Sequence, residues 1–263
     1  MAAHPGASAS TEAFTRIHDS WLTSALGVDS WIVNSSSPSE GLLTPNLSQP
    51  VPAPAFLTAK VPAHDIQTVR QLAQLGFYLV DTALTLQLKS HLVSGSVPRS
   101  SDESPEWEVS DATPEDADAV GQIAGRALTK SRFHFDPNIR PEVASTVKSK
   151  WAKGLALGHR GIGCRVVRDA NGIQGFLGIV EGEDGEGVFV IDLIAVQPEV
   201  QGRGVGTALI HDFLRFAKAS GALPQVGTQA ANTSAVRFYE RLGFTLTKAT
   251  YVMHAHLSME EPL

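Results

Sequence analysis

The feature that most constrains this chain is a glycine-rich segment at residues 201–206, which reads Gln-Gly-Arg-Gly-Val-Gly. It stands between an apolar, β-branched run at Val188–Val196, which predicts a buried central strand, and an amphipathic pattern at residues 207–220, which predicts a helix. Glycines at such a junction let backbone N–H groups approach an anion, and the helix adds the positive end of its dipole. The segment therefore predicts a pyrophosphate-binding loop.

Two other interpretations of this segment fit less well. A dinucleotide-binding loop would place its first glycine directly after the strand and a small residue at the sixth position. Here residues 197–201 intervene, and the sixth position counted from Gly202 is Thr207. A glycine turn without a ligand is the second alternative, but its three glycines would cost helix and strand stability for no packing gain.

Composition narrows the class of protein. The 263 residues allow one large domain or two modest ones, and no apolar window approaches the roughly 20 residues of a membrane span, so we expect no membrane partner. A formal charge of -6 gives no general basic field, so nucleic acid is not an expected partner. Cys164 is the only cysteine and excludes an intrachain disulfide or a cysteine zinc cluster. The N-terminus lacks a secretory pattern, which favours a cytoplasmic location.

The chain divides at a Ser/Pro-rich stretch. We predict an N-terminal α/β accessory region at residues 1–95, a linker at 96–106 and a self-sufficient domain at 107–263. Residues 74–77, Gln-Leu-Gly-Phe, resemble residues 241–244, Arg-Leu-Gly-Phe, and each stretch reads as a helix stop before a strand. This similarity indicates either a partial repeat or two ordinary helix ends.

The C-terminal region predicts a series of helices and strands. The predicted helices cover residues 113–130, 141–157, 207–220 and 233–242. The predicted strands are a hairpin at 164–168 and 173–181 with an Asn-Gly turn, then 188–196, 225–229 and 244–257.

Two segments resemble the motifs of the GNAT acetyltransferases. Residues 192–206 resemble motif A of that family, whose core is Q/R-x-x-G-x-G/A, and residues 232–244 resemble its motif B. The resemblance implies an α/β (α+β) fold with a mixed, mostly antiparallel central sheet flanked by helices, and a smaller, partial GNAT-like region at the N-terminus. It implies acetyl-CoA as co-substrate and no metal. The implied cofactor-binding residues are Ile194, Ala195, Val196, Gln201, Gly202, Arg203, Gly204, Val205, Gly206, Thr207, Asn232, Ala235 and Tyr239.

The spacing within the second motif supports a shared site. Asn232 and Tyr239 are seven positions apart, about two helical turns, so both face the same groove. The resemblance implies that Tyr239 protonates the leaving thiolate. Because a tyrosine titrates near 10 and a thiol near 8.5, full transfer would be uphill by roughly 2 kcal/mol, and hydrogen-bond donation is the alternative. A third alternative is that Tyr239 only packs beside Phe238.

Asp192 is the candidate general base or water-positioning group, because it interrupts the apolar strand and a carboxylate there is costly unless it is paired or faces the site. The alternatives are a structural salt bridge and a side chain that is turned out of the site. Arg203, Arg237 and Arg241 are either phosphate contacts or exposed helix residues.

A narrower resemblance concerns the acyl acceptor. Short stretches across most of the chain, among them Ser131-Arg132-Phe133 and residues 227–239, resemble the bacterial TDP-fucosamine acetyltransferases. That likeness implies a small-molecule amine, an amino-sugar nucleotide, as acceptor, and places the loop at 131–136 beside it. The predicted substrate residues are Arg132, Phe133 and His134. The alternative is a solvated loop with one anchoring aromatic.

Other functions stay open at this point. A GNAT enzyme acting on a protein N-terminus, a lysine or an antibiotic amine, and a non-catalytic acetyl-CoA-binding protein, share the same motifs. His254 and His256 alternate on a strand but lack a third ligand, so they make a poor metal site. The N-terminal region, which carries few motifs, is expected to serve acceptor binding or a homodimer contact.

Overall fold

The computed structural model describes residues 14–35, 51–88, 107–182 and 187–258. The chain forms two compact units, residues 1–81 with 250–263 and residues 82–249. The second unit therefore differs from the predicted domain at both ends. It includes residues 82–88, whose strand pairs within it, and it leaves out 250–257, whose strand pairs with the first unit. The predicted linker at 96–106 lies outside the described residues.

The first unit combines strands with two short helices. Its elements are β1 (Phe14–His18), α1 (Ser20–Leu26), β2 (Asp29–Ser35), β3 (Ala55–Pro62), α2 (Ile66–Gln74), the start of β4 (Tyr78–Leu88) and the end of β10 (Phe244–Leu257). Strand β2 pairs antiparallel with β1 and parallel with β3, and β3 pairs antiparallel with β10 over residues 250–257. Asp19 and Asp65 begin the two helices, since each side chain accepts a backbone N–H in the first turn.

Two features of this unit bear on the sequence predictions. Gly76 and Gly243 both adopt positive φ, 86° and 89°, and each follows the C-cap leucine of a helix, so the two similar stretches also share their backbone form. A partial repeat stays a prediction. His254 is fully buried with its ring 4.7 Å from that of Phe56, which is a packing environment. Among the described residues no group of three or more His, Cys, Asp or Glu is arranged to hold a metal ion.

The second unit is a mixed sheet covered by helices. It contains the remaining parts of β4 and β10 together with β5 (Val109–Asp111), a 3₁₀ turn (Pro114–Asp116), α3 (Ala117–Ala127), α4 (Arg132–Phe135), α5 (Pro141–Ala156), β6 (Gly163–Asp169), β7 (Gly172–Glu181), β8 (Val188–Val196), a second 3₁₀ turn (Pro198–Val200), α6 (Val205–Ala219), β9 (Leu223–Gln229) and α7 (Thr233–Arg241). Its strand order is β10-β4-β9-β8-β7-β6-β5. Strands β5 to β8 pair antiparallel in succession, as do β4 and β9, whereas β8 and β9 run parallel. The predicted mixed, mostly antiparallel sheet is confirmed.

The predicted elements of this unit are present with small shifts. The first helix starts as a 3₁₀ turn behind a capping box at Thr113 and ends at Ala127, before the predicted end. Helix α6 starts at Val205, two residues earlier than predicted. The predicted loop at 131–136 contains the one-turn helix α4, which sequence periodicity is too short to reveal. No helix in the described ranges has the length and apolar character needed to cross a bilayer.

The core of the second unit lies on both faces of its sheet. On β7, Leu177 and Ile179 belong to a cluster with α6 residues such as Phe213, whereas Phe176 belongs to a cluster with α3 and α5. This alternation is the two-residue period of a strand. Burying a side chain such as that of Phe213, which has no exposed surface, contributes about 1.5–3 kcal/mol. The two faces are therefore held by different helices.

Gly175 on β7 sets how closely α6 approaches the sheet. A Cβ atom added at this residue would lie 2.9 Å from Val205 Cγ1, 3.0 Å from the Ala195 carbonyl oxygen and 3.4 Å from Leu209 Cδ1. The first of these distances is too short for real carbon atoms. Because Val205 begins α6, the missing side chain at Gly175 allows the first turn of this helix to rest on β7 and β8.

We predict that Gly175→Val destabilises the second unit by about 1–3 kcal/mol, because the new side chain must displace the start of α6. Thermal unfolding followed by circular dichroism measures the loss. Gly163→Val is the matched control on a neighbouring strand, since a Cβ there would meet only Ile179 Cδ1, at 3.9 Å. Equal loss of stability in both variants would contradict the close approach at Gly175.

Candidate active site

Strands β8 and β9 part halfway along their length. Their parallel pairing runs from Val188 with Leu223 to Ile191 with Val226. Beyond that point β9 pairs only with β4, through residues 227–229, and β8 only with β7, through residues 193–196. The backbone N–H and C=O groups on the β9 side of residues 192–196 are therefore left without a strand partner, and such an edge accepts an extended ligand by strand addition.

A β-bulge lies at the point of separation. On β7 the neighbours Gly178 and Ile179 pair with Leu193 and Ile191, so Asp192 is the extra residue of β8. The bulge changes which face each side chain meets. Leu193 packs in the cluster with α3 and α5, whereas Ile191 packs with α6. The inserted residue thus turns the Asp192 side chain toward α5.

The Asp192 carboxylate is held by two donors. Its Oδ2 accepts hydrogen bonds from Trp151 Nε1 at 2.7 Å and from Arg160 Nε at 2.7 Å, and Oδ1 accepts from Arg160 Nη2 at 3.2 Å. The Asp192 side chain is 11% exposed, against 47% for Arg160. A largely buried carboxylate requires such partners. The salt-bridge alternative is therefore present, and a role for Asp192 as base stays a prediction.

The glycine loop leads into an open helix end. Gly202 and Gly204 adopt positive φ, 78° and 88°, which side chains other than glycine rarely tolerate. Gly204 is the N-cap residue of α6 and has no side chain to accept a hydrogen bond from the first turn. Because the first N–H groups of a helix have no partner inside it, this end combines free donors with the positive dipole end. It suits a pyrophosphate.

Trp107 fixes the shape of this loop, and sequence reasoning missed it. Its indole Nε1 donates to the Arg203 carbonyl oxygen at 2.8 Å, and Gln201 Nε2 donates to the Val196 carbonyl oxygen at 3.3 Å. These contacts tie the loop to the start of the domain and to the end of β8. A single tryptophan 96 residues before its partner carries no local pattern from which the contact could be predicted.

Helix α7 places the second motif beside the loop. A Cβ added at Gly206 would lie 3.5 Å from Phe238 Cζ, so the first turn of α6 and the middle of α7 are in contact. Ala235 and Phe238 pack against the α6-side cluster that contains Tyr239. Asn232 is the N-cap residue of α7, and its Oδ1 accepts from Ser234 Oγ at 3.1 Å.

Tyr239 is almost completely buried, with 4% of its surface exposed. Burial raises the pKa of its phenol well above the ordinary value of about 10. The hydroxyl therefore stays protonated across the physiological range and can donate a hydrogen bond. The same shift makes full proton transfer to a thiolate harder than the sequence implied, which favours the hydrogen-bond alternative.

The predicted cofactor residues surround these features. Ile194 and Val196 pack on the same face as Tyr239, whereas Ala195 packs on the α3 and α5 face. The two predicted catalytic side chains thus meet different clusters on opposite faces of β8. The gap beside residues 192–196 lies next to both faces of β8.

The predicted acceptor loop is a compact turn. Ser131 Oγ and His134 Nδ1 lie 2.8 Å apart, and His134 Nε2 lies 3.3 Å from Ser145 Oγ. Burial, and then the charge of Lys148, lower the pKa of His134, so this ring is neutral near pH 7. Phe133 has no exposed surface and anchors the turn. Its role as an acceptor contact stays a prediction, as do those of Arg132 and His134. Arg132 lies with its guanidinium carbon 4.6 Å from the centre of the Phe133 ring.

Comparison with known proteins places this site in a family. Residues 126–244 match the model of the acetyltransferase (GNAT) family. The chain is 29% identical over 236 residues to the dTDP-fucosamine acetyltransferase of Escherichia coli, covering 89% of this chain and 95% of that protein. It is 27% identical over 201 residues to the spore coat polysaccharide biosynthesis protein SpsD of Bacillus subtilis, covering 76% of this chain and 66% of SpsD.

A solved structure with the same fold is the GCN5-related N-acetyltransferase from Kribbella flavida. Its TM-score is 0.56 at 13% identity, and the alignment covers 95% of this chain and 91% of that one. The resemblance predicted from the two sequence motifs is confirmed. The glycine loop and the parted strands lie within residues 126–244, which match the family model, so this part of the chain is a GNAT acetyltransferase domain.

Proposed function

We propose that this chain transfers the acetyl group of acetyl-CoA to a primary amine of an amino-sugar nucleotide, by direct attack within a ternary complex. The observation that carries the proposal is the unpaired edge of β8 at residues 192–196, which leads directly to the open N-terminus of α6. The acceptor class draws its support from the two relatives, one named for dTDP-fucosamine and the other for polysaccharide biosynthesis.

The residues present fit coenzyme A. The N–H groups at the start of α6 and the positive-φ glycines offer a cradle for the pyrophosphate. The β8 edge offers alternating donors and acceptors to the amides of the pantetheine arm. Arg203 is exposed within the loop, where its charge favours a phosphate. In this arrangement the thioester lies at the far end of the edge, near Asp192.

Acetyl transfer to an amine forms a C–N bond and breaks the C–S bond of the thioester, and the sulfur leaves as a thiolate. Tyr239 would donate a hydrogen bond to that sulfur, which lowers the energy of the developing charge. A hydrogen bond to a charged group contributes about 1.5–3 kcal/mol. Asp192 would orient the attacking amine while its own charge is held by Arg160 and Trp151.

One prediction of this proposal concerns the glycine loop at residues 201–206. Gly204→Glu should abolish acetyl-CoA binding, because it puts a side chain and a negative charge at the helix end and forces a positive φ on a residue with a Cβ. Isothermal titration calorimetry measures the affinity. Gly221→Glu is the matched control, since Gly221 also has positive φ, 68°, but follows the other end of α6. Unchanged affinity in Gly204→Glu would refute the loop assignment.

Another prediction concerns the hydroxyl group of Tyr239. Tyr239→Phe should lower kcat by roughly 10- to 100-fold, the equivalent of one hydrogen bond to a charged group, with little change in the KM for acetyl-CoA. Steady-state kinetics with monitored thiol release gives both values. The control is Tyr251→Phe, which deletes the hydroxyl group of a tyrosine that belongs to the first unit, and this variant should keep the wild-type rate.

The pH profile tests whether Tyr239 keeps its proton during turnover. Because the pKa of Tyr239 is raised, its proton is retained as the pH rises to about 10. The kcat of the wild-type protein should therefore not fall between pH 8 and 10 through ionisation of Tyr239, and the pH profile of Tyr239→Phe should have the same shape. A decline between pH 8 and 10 that disappears in the variant would contradict this. A wild-type rate in Tyr239→Phe would leave the ring with a packing role alone.

A last prediction of this proposal concerns the acyl acceptor. Thiol release from acetyl-CoA should be stimulated by dTDP-fucosamine and not by lysine-containing peptides or aminoglycosides. Mass spectrometry of the product should show one added acetyl group on the amine. Activity confined to peptides or antibiotics would overturn the amino-sugar proposal and keep the GNAT reaction, and tight acetyl-CoA binding without turnover on any amine would favour a non-catalytic role.

A further inference from the structure

The ion pair between Arg160 and Asp192 is asymmetric. The carboxylate is largely buried, whereas almost half of the Arg160 side chain is exposed. A guanidinium has five N–H donors, and Arg160 gives two of them to Asp192, through Nε and Nη2. Within the described residues the other donors have no protein acceptor. One edge of the guanidinium therefore holds Asp192, and the rest of this partly exposed group is open to solvent.

The guanidinium is also fixed in position. Its carbon lies 4.8 Å from the centre of the Trp151 ring, and Lys148 Nζ lies 4.7 Å from the same ring. Trp151 in turn donates to Asp192. The backbone N–H of Arg160 donates to the Gly154 carbonyl oxygen at 3.2 Å, which ties the residue to the end of α5. A stacked, hydrogen-bonded arginine of this kind is pre-organised for a second acceptor.

The balance of charge indicates which acceptor it selects. Because Arg160 already neutralises Asp192, the pair offers no net negative charge to attract a bare ammonium group. An anion gains from the free guanidinium edge, since a planar fork of N–H donors matches phosphate oxygens. Lys148 Nζ, 4.7 Å from the centre of the Trp151 ring, adds a second positive charge nearby. The arrangement therefore favours an amine that carries its own phosphate group.

We infer that Arg160 determines acceptor specificity: its solvent-facing edge binds a phosphate group of the acceptor while its other edge keeps Asp192 in place beside the strand gap. The inference rests on the proposed function and deepens it, because it names the group that recognises the nucleotide part of the acceptor. Neither the GNAT motifs nor the sequence patterns include Arg160.

Binding of dTDP, measured by calorimetry with the coenzyme site saturated by coenzyme A, tests this directly. Wild-type protein should bind dTDP and should not bind thymidine, which lacks phosphate. Arg160→Ala should weaken dTDP binding by roughly 10- to 100-fold, and Arg160→Lys by less, because an ammonium keeps the charge but not the fork. The matched control is Arg215→Ala, which removes another exposed, ion-paired arginine, and this variant should bind dTDP with wild-type affinity.

A second measurement guards against misfolding, since Arg160→Ala leaves Asp192 buried without its cation. The double variant Arg160→Ala with Asp192→Asn removes the buried charge and should fold, while dTDP binding stays weak. Wild-type affinity in either variant, or no dTDP binding by the wild-type protein, would overturn the inference even if other amines are acetylated. Loss of dTDP binding in both variants, without acetylation of any amino sugar, would instead refute the proposed acceptor and keep Arg160 as a phosphate ligand.

Discussion

The parting of β8 and β9 after Ile191 is the constraint on which the rest of the site depends. Every backbone N–H and C=O group needs a partner, and in the interior of a sheet the neighbouring strand supplies it. Where β9 turns away to pair with β4 alone, the groups of residues 192–196 that face β9 have no strand partner and are open to solvent or a ligand, apart from the Val196 carbonyl oxygen, which accepts from Gln201 Nε2. Tyr239 packs on one face of the sheet at this gap, and Asp192 is held on the other face.

The glycine loop and the gap between β8 and β9 form one site because they lie next to each other. Gly175 lets the first turn of α6 lie against β7 and β8, so the open helix end is placed at the top of the unpaired edge. Phe238 then brings α7 against the same turn. Anion binding by the helix end and strand addition along β8 thus act along one line. A diphosphate with an amide-containing arm fits both features at once, and a simple phosphate fits only the first.

Local chemistry explains how much of this could be predicted from sequence. Apolar periodicity, glycine positions and turn residues act within a few residues of the chain, so they predict individual elements well. Examples are the strand Val188–Val196, the helix that starts after Gly204 and the final strand Phe244–Leu257. The separation of β8 from β9 depends on the length over which two strands stay paired, although their paired residues, such as Val188 and Leu223, lie 35 positions apart in the sequence. Likewise, Trp107 and Arg160 act on partners 96 and 32 residues away, and no spacing rule links them.

Asp192 illustrates why an unusual residue in a pattern has more than one meaning. The sequence marks it correctly as a charge in an apolar strand, and burial makes such a charge costly unless it is paired. The bulge that inserts it turns it toward Trp151 and Arg160, and both donate hydrogen bonds to its carboxylate. Under the proposed function, a carboxylate held in this way would orient the attacking amine, and water at the unpaired edge of β8 would take the proton of the amine.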